Sequence, residues 1–579
     1  MATKRGIQYI PAIDGLRAVA VIAVMLYHLG IEWIPGGFLG VDLFFVISGY
    51  VITRLLLDSI QQRGGLDLRD FYMARIRRLL PPLLFMLIVT SIVVGLWAPD
   101  TTKKFLTDAP FSIFGGMNWW LVFNEQDYFE SSGRPPLLQH TWSLAVEAQF
   151  YLIWPLILLL VLRFFGKKLI SIAALVIAMT SGIVLMLVSF QLDASNTSKV
   201  SHIYFGTDTH SIGLFLGAAL AVSWIPQNFR PEVSRRAQDF IDGIGVFGFV
   251  GILATFLLIE ESNPALYRIA FPLAGIFGTS IVHPASRFAP LLRNRVLLWI
   301  GERSYAIYLW HWVIFQISRP QVDLDGEDWA LFTLRILVVL ALSDISLRLV
   351  ELPIRSGAVA YWFKGMKYRT VDVRRRQVLG VWIASSFILL LATTVSLNAV
   401  TEIDQKNREL QQSLTSASQP ITTPVDTTEP GLWVTGDSVI LGIRSEIEDR
   451  YPIALINARV GRQATELLEV MKVDGQKVLD SPVIFNLGNN NTLTREQVIA
   501  IFETIKSAPK AIVVNTAVPR PWKEANNALI SEVAANYSNV SVIPWDQISQ
   551  GRTEYFAPDG VHLLPAGVSA YVAAIESKL

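Results

Sequence analysis

Hydrophobic and polar positions follow two different rhythms along this chain. Up to about residue 400 there are eleven long apolar stretches, roughly 12–30, 38–57, 79–97, 141–163, 169–190, 210–226, 242–259, 267–285, 297–317, 329–350 and 379–398. Each is near the ~20 residues that an α-helix needs to cross a bilayer. The pattern predicts a multi-span α-helical membrane domain over residues 1–400, including a last tethering span. The apolar segment 109–124, with Trp119 and Trp120, is shorter and reads as re-entrant or interfacial.

Residues 401–430 are polar and rich in Ser, Thr, Gln and Pro, the composition of a linker. From 431 to 579 short apolar runs at 432–434, 453–456, 483–487, 511–515 and 541–544 alternate with helical patterns at 464–472, 495–506 and 523–535. A last helix follows Pro565. Strand–helix alternation of this kind predicts a three-layer α/β domain with a parallel sheet.

Composition sharpens the picture. Hydrophobic residues make up 52% of the chain and charged residues 17%, a balance that favours an integral membrane protein. The net charge of +1 argues against a nucleic acid or other polyanion as partner. The absence of cysteine excludes disulfides, thiolate catalysis and iron–sulfur clusters. The seven histidines form no close pair that reads as a metal site. The first apolar stretch contains Asp14 and Arg17 and has no clear small-residue cleavage site, so it does not read as a cleavable leader.

Charge distribution sets the expected orientation. With Lys4 and Arg5 placed in the cytoplasm, alternate loops carry Arg75, Arg77 and Arg78; Lys167 and Lys168; Arg230, Arg235 and Arg236; Arg287, Arg293 and Arg295; and Arg355 to Arg376. The opposite loops hold Glu260, Glu261, Asp323, Asp325, Glu327 and Asp328, with Lys103, Lys104, Arg134 and Arg268 as exceptions. An odd number of spans then leaves the C-terminal domain extracytoplasmic.

Three groups of residues carry candidate chemistry. Asp14, Arg17 and His28 share one face of the first span, spread over ~20 Å of helix axis at ~100° per residue. Ionisable groups within a membrane are costly and face the bundle or a wet cavity. They read either as an Asp14–Arg17 ion pair with an interfacial His28, or as a polar track leading to a histidine. Glu147, with Ser143 and His140 on the same helical face, reads either as a packing carboxylate or as a group that orients a catalytic imidazole. Arg75 and Arg78, three apart, suit positive-inside topology, and also a phosphate-bearing ligand. Among the other histidines, His202 and His210 flank Asp208 and read as a solvated loop or a glycan entrance; His283 reads as structural, and His311 as packing. In the C-terminal part, Gly436-Asp437-Ser438 follows the apolar run Leu432-Trp433-Val434, and Asp559 and His562 come some 120 residues later. A serine, an aspartate and a histidine in this order on an α/β segment are the parts of an acyl-transfer triad.

Residues 8–400 resemble the membrane-bound acyltransferase family 3. The resemblance lies in Tyr9 to Ala18, the Arg17 to His28 spacing, Gly37 to Tyr50, Arg75 to Arg78, Thr141 to Tyr151, Ser304 to His311 and Glu351-Leu352-Pro353. It implies transfer of an acyl group from cytoplasmic acyl-coenzyme A to an extracytoplasmic carbohydrate. His28 is then the candidate membrane-domain catalyst, with Arg75 and Arg78 as contacts to the acyl-CoA phosphates. At Ala148 the chain departs from relatives that repeat an acidic residue there, which singles out Glu147.

Residues 431–579 resemble the SGNH hydrolases through Gly436-Asp437-Ser438, Ala458 to Gln463, Gly488-Asn489-Asn490, and Asp559 with His562. That resemblance implies Ser438 as nucleophile, His562 as base and Asp559 as its orienting carboxylate. It also implies an oxyanion hole from the Ser438 and Gly461 N–H groups and the Asn490 amide. The fusion is similar to peptidoglycan and surface-glycan O-acetyltransferases of bacterial envelopes. It implies a multi-pass protein of the bacterial cytoplasmic membrane with acetyl-CoA as donor substrate and no bound cofactor or metal. Peptidoglycan is the first expected acceptor, with lipopolysaccharide O-antigen or another surface polysaccharide or glycolipid as alternatives. Two other function classes fit some of these features. They are a membrane-tethered carbohydrate esterase or deacetylase, and a glycan or lipid transporter whose Asp14, Arg17 and His28 relay protons.

Overall fold

The computed structural model describes residues 10–124, 134–190, 197–223, 234–260, 270–281, 291–320, 323–324, 328–417, 431–459, 462–478, 480–518, 520, 522–557 and 560–579. The chain divides between Asn398 and Ala399 into two compact units.

Among the described residues, the named elements of the first unit are all helices. Among the described residues, eight helices are long and apolar enough to cross a membrane: Pro11–His28, Gly37–Arg63, Leu68–Trp97, Gln139–Phe164, Lys168–Phe190, Gln238–Leu258, Trp329–Arg355 and Val371–Glu402. The other three sequence windows hold the helices Ile212–Ser223, Phe271–Ile281 and Arg295–Ile317, of 12, 11 and 23 residues. At ~1.5 Å per residue the first two are shorter than a ~30 Å hydrocarbon core. The third is long enough but carries Arg295, Glu302 and Arg303.

The second helix, Gly40–Arg63, lies at the centre: 78% of its apolar window is buried, against 6% for the last helix, whose Trp382, Phe387 and Leu389 are exposed as lipid contact requires. Close crossings are built on glycine. A Cβ at Gly301 would stand 1.9 Å from the Asp14 carbonyl oxygen, so the helix Arg295–Ile317 meets the first helix backbone to backbone. The segment 109–124 belongs to two short helices, Thr102–Ile113 and Met117–Phe123, joined through Gly115 at φ +69°. Trp120 stacks on Phe111 with ring centres 4.0 Å apart, and its Nε1–H donates to Asp108 at 2.8 Å.

The last helix runs on from the membrane window to Ala417. The first part of the predicted linker is therefore helical, as its Glu, Gln, Lys, Arg and Leu content favours. Residues 418–430 lie outside the described residues.

The second unit is built on a five-stranded parallel sheet of order β2-β1-β3-β4-β5. The strands are β1 (Leu432–Gly436), β2 (Ile453–Ala458), β3 (Val483–Asn486), β4 (Ala511–Val514) and β5 (Val540–Ile543). Every residue of β1, β3 and β4 is buried, which is why each reads as an unbroken apolar run. Successive side chains enter opposite layers. Trp433, Val483, Phe485 and Val513 pack under the helices Ala464–Val478, Arg495–Thr504 and Lys523–Ala534. Val434, Ile484, Ile512 and Val514 pack against Ser438–Arg450 and Pro565–Glu576. The strand order reverses at β1, with β2 on one side and β3 on the other. In such sheets the crevice beyond the carboxyl ends of the strands at this point is where ligands bind.

Candidate active site

The membrane unit encloses a cavity of about 630 Å³. Five of the residues singled out in the sequence line it: Asp14, Arg17, Arg75, Arg78 and Glu147. Arg77, between the last two arginines, is exposed, so the three-residue spacing does turn one guanidinium pair inward. Arg54, Arg293 and Arg355 join the wall. Among the described lining residues, six arginines thus face three carboxylates, Asp14, Asp58 and Glu147. Arg17 pairs with Asp14 at 3.4 Å, Arg54 with Asp58, and Arg355 with Glu351 at 3.4 Å. Among the described residues Arg75 and Arg78 carry no ion pair, and the Arg75 Nε is buried without a hydrogen-bond acceptor. Such a wall suits an anionic ligand.

Glu147 lies against this arginine-rich wall. Its Oε1 accepts from the Ser48 hydroxyl at 2.6 Å and its Oε2 from the Tyr151 hydroxyl at 3.0 Å. Its hydrogen-bond partners are these two hydroxyls and not His28. The turn from Ser143 to Glu147 carries the carboxylate into the arginine-lined cavity, while His28 closes the opposite end of the first helix.

His28 meets His311 instead, with His28 Nδ1 and His311 Nε2 3.0 Å apart. The edge of Trp312 packs on the His28 ring at 4.7 Å, and His140 stands beside His311 at 5.8 Å between ring centres. Tyr308, which lines the cavity, connects the two regions. Its hydroxyl donates to the His140 carbonyl at 2.8 Å and lies 2.7 Å from the Ser143 hydroxyl. His311, read from the sequence as packing, is the side chain that meets His28. His210 is buried between Asp42 (3.2 Å) and the Tyr204 carbonyl (2.7 Å), and His202 pairs with Asp208 at 3.0 Å. His283 lies outside the described residues.

In the second unit, Gly436 ends β1 so closely under β3 that a Cβ there would stand 2.0 Å from Asn486 Oδ1. Ser438 then opens the helix Ser438–Arg450, and the Asp437 carboxylate caps it by accepting from the Val439 N–H at 2.9 Å. Ser438 therefore sits at the positive end of a helix dipole, at the carboxyl edge of the switch point. Asp437 is buried in a fan of amides: Asn486 donates to Oδ1 at 2.6 Å, while Asn489 and Asn490 donate to Oδ2 at 2.9 and 3.1 Å. Burial pushes the Asp437 carboxyl above the usual carboxylate range, against the pull of Asn486, the Val439 N–H, Asn489 and the His562 charge. The loop bearing His562 is closed by the Ala557 N–H on the His562 carbonyl at 2.7 Å. His562 lies within electrostatic range of Asp437. Asp559 and Gly461 lie outside the described residues.

Two separate chemistries emerge, a cationic cavity among membrane helices and a serine at the switch point of an α/β sheet. The sequence profile of the acyltransferase domain, family 3, matches residues 10–348. The chain belongs to acyltransferase family 3. This family member is 33% identical to peptidoglycan O-acetyltransferase OatA of Listeria monocytogenes, over 100% of this chain and 99% of the relative. It is 33% identical to O-acetyltransferase OatA of Staphylococcus aureus, with 99% and 96% covered. With the putative peptidoglycan O-acetyltransferase YrhL of Bacillus subtilis it shares 30% identity over 99% and 98%. The match extends over both units, so this acyltransferase is a multi-pass membrane O-acetyltransferase with an appended α/β unit.

Proposed function

We propose that the protein moves acetyl groups from cytoplasmic acetyl-CoA to hydroxyls of peptidoglycan outside the membrane, through an acyl-serine on Ser438. In this reading the N-terminus is cytoplasmic, eleven helices cross the bilayer, and the second unit is an extracytoplasmic SGNH-type domain. Positive-inside charge supports the orientation, and the names of two relatives support the acceptor.

Acetyl-CoA occupies the arginine-lined cavity, whose volume falls in the ~300–1,000 Å³ range of ligand pockets. Arg75 and Arg78, with Arg17 nearby, hold its phosphates. His28 takes part in passing the acetyl group outward, and Glu147 shapes the field at the cavity wall. At the second site Ser438 Oγ attacks the acetyl carbonyl carbon while His562 takes the hydroxyl proton; Asp559 orients the imidazole. The Ser438 and Gly461 N–H groups and the Asn490 amide hold the oxyanion. The bond between the acetyl carbon and the group that delivers it breaks, and that group leaves with the proton from His562. A sugar hydroxyl then gives its proton to His562, attacks the acyl-serine and regenerates Ser438.

The observation that carries this reading is the placement of Ser438: first residue of a helix, at the switch point, beside a buried Asp437–asparagine network. Cells expressing Ser438→Ala are expected to hold the inserted protein but to lose peptidoglycan acetylation, read as base-labile acetate on muropeptides. Wild-type acetylation by that variant would end the acyl-serine scheme. Gain of acetate on muropeptides with the intact protein, rather than loss, separates transfer from deacetylation.

A further inference from the structure

The ring contact between the first helix and the helix Arg295–Ile317 has a consequence for proton placement. His311 Nδ1 lies 2.7 Å from the Tyr308 carbonyl oxygen and 3.2 Å from that of Ile307. A carbonyl oxygen can only accept, so Nδ1 of His311 carries the proton and donates. With one proton per ring, His311 Nε2 then bears the lone pair and can only accept. The atom facing it at 3.0 Å is His28 Nδ1, which must therefore be the protonated nitrogen of His28. The lone pair of His28 is left on Nε2.

We propose that His311 is a positioning residue that fixes the tautomer and ring orientation of His28, with the proton on Nδ1 and the basic lone pair on Nε2. The proposal deepens the reading of His28 as the membrane-domain catalyst and rests on it. A metal-bound or catalytic histidine is commonly set in this way by the hydrogen bond its other nitrogen makes. Here the acceptor is a neutral imidazole rather than a carboxylate, so the pair sets direction without adding charge to an apolar surround. The arrangement is held from both sides. Trp312 packs edge-on against the His28 ring at 4.7 Å, and its own Nε1–H is anchored on the Pro136 carbonyl at 2.9 Å. Further along the same two helices, the Gly301 contact with Asp14 fixes their packing. When Nε2 of His28 accepts a proton, the Nδ1–H bond to His311 persists and strengthens, because its donor becomes cationic.

The test uses full-length protein in lipid nanodiscs with ¹⁵N-labelled histidine. Imidazole ¹⁵N shifts separate a protonated ring nitrogen from a bare one, and the His28 signals are assigned by their loss in His28→Gln. The expected result is a protonated Nδ1 and a bare Nε2 on His28, and a changed tautomer balance in His311→Phe. Turnover is read as CoA thiol released from acetyl-CoA in the presence of solubilised peptidoglycan fragments. His311→Phe should lower kcat about 10–100-fold, as loss of an orienting partner does, with KM for acetyl-CoA within about twofold. His311→Gln, whose amide oxygen can still accept from His28, should recover part of that loss. A protonated Nε2 on wild-type His28, wild-type kcat in His311→Phe, or equal loss in His311→Phe and His311→Gln would each overturn the proposal. Full turnover by His28→Gln would instead remove His28 from catalysis, a result that leaves the tautomer measurement standing.

Discussion

The Asn490 amide divides its two N–H groups between Asp437 Oδ2 and the Arg462 carbonyl, each at 3.1 Å. To hold a developing oxyanion it must turn or share one of these bonds, so Asp437 keeps the donor close to the Ser438 turn. Asn490→Ala is expected to lower acetyl transfer about 10²–10³-fold, as removal of an oxyanion donor does. Asn489→Ala should cost less than tenfold, since Asn486 and the Val439 N–H still hold Asp437. Initial rates of acetate transfer to peptidoglycan fragments check the ranking, and equal losses would contradict it.

Asp437 also sets a pH dependence. Burial raises its pKa in the folded state, so the native form keeps a proton that the unfolded chain loses near pH ~3.9. Where the native state binds more protons, stability falls as pH rises. The contribution is fully present below the unfolded value and is lost as pH climbs through the raised native one. Hydrogen exchange at β1 and β3 amides in the full-length protein, corrected for intrinsic rates, should show protection decreasing over that window. In Asp437→Asn this component should vanish. Protection that rises in the wild type over the same window would refute the assignment.

The unpaired guanidiniums of the cavity predict a binding phenotype. Arg75→Ala with Arg78→Ala should weaken acetyl-CoA binding to the nanodisc-embedded protein by about 10–100-fold, in line with ~1.5–3 kcal/mol for a hydrogen bond to a charged group. Arg77→Ala, on the exposed side of the same turn, should change affinity less than twofold. Equilibrium binding of radiolabelled acetyl-CoA distinguishes the two faces.

Gly436→Ala places a methyl group against Asn486 Oδ1, the atom that accepts the Asp437 N–H at 3.0 Å. The added carbon must displace Asn486 and disturb its bond to Asp437. A stability loss of roughly 1–3 kcal/mol is expected for overpacking of this kind. Urea-dependent proteolysis of the second unit in the full-length protein measures it, and an unchanged midpoint would contradict the close approach.

Much of the architecture is written in local patterns. All five strands fall on the apolar runs, and the three central ones, β1, β3 and β4, are buried throughout because they are covered on both faces. The glycine, serine and asparagine turns at the ends of β1 and β3 stand out because a switch-point site needs tight backbone there. Helical spacing puts Arg75 and Arg78 on one face, and the structure turns that face to the cavity. The pairing of His28 with His311 does not: it joins residues 283 apart, and no periodicity records which helices become neighbours. For the same reason the sequence leaves open which group Glu147 meets, since its partner Ser48 lies 99 residues away. Asp437 was visible only as a motif letter, because its amide fan draws on β3 and the loop after it. Span boundaries were blurred where short helices such as Ile212–Ser223 are buried by protein rather than by lipid.

The most direct test follows the acetyl group itself. Full-length protein is reconstituted in sealed vesicles, isotope-labelled acetyl-CoA is supplied to the arginine-bearing face, acceptor glycan is withheld, and the peptide containing Ser438 is examined by mass spectrometry. A two-site relay predicts one labelled acetyl group on that peptide in the wild type, none in Ser438→Ala, and none in His28→Ala. Peptidoglycan acetylation on later addition of acceptor, with no label ever borne by Ser438, would contradict the account.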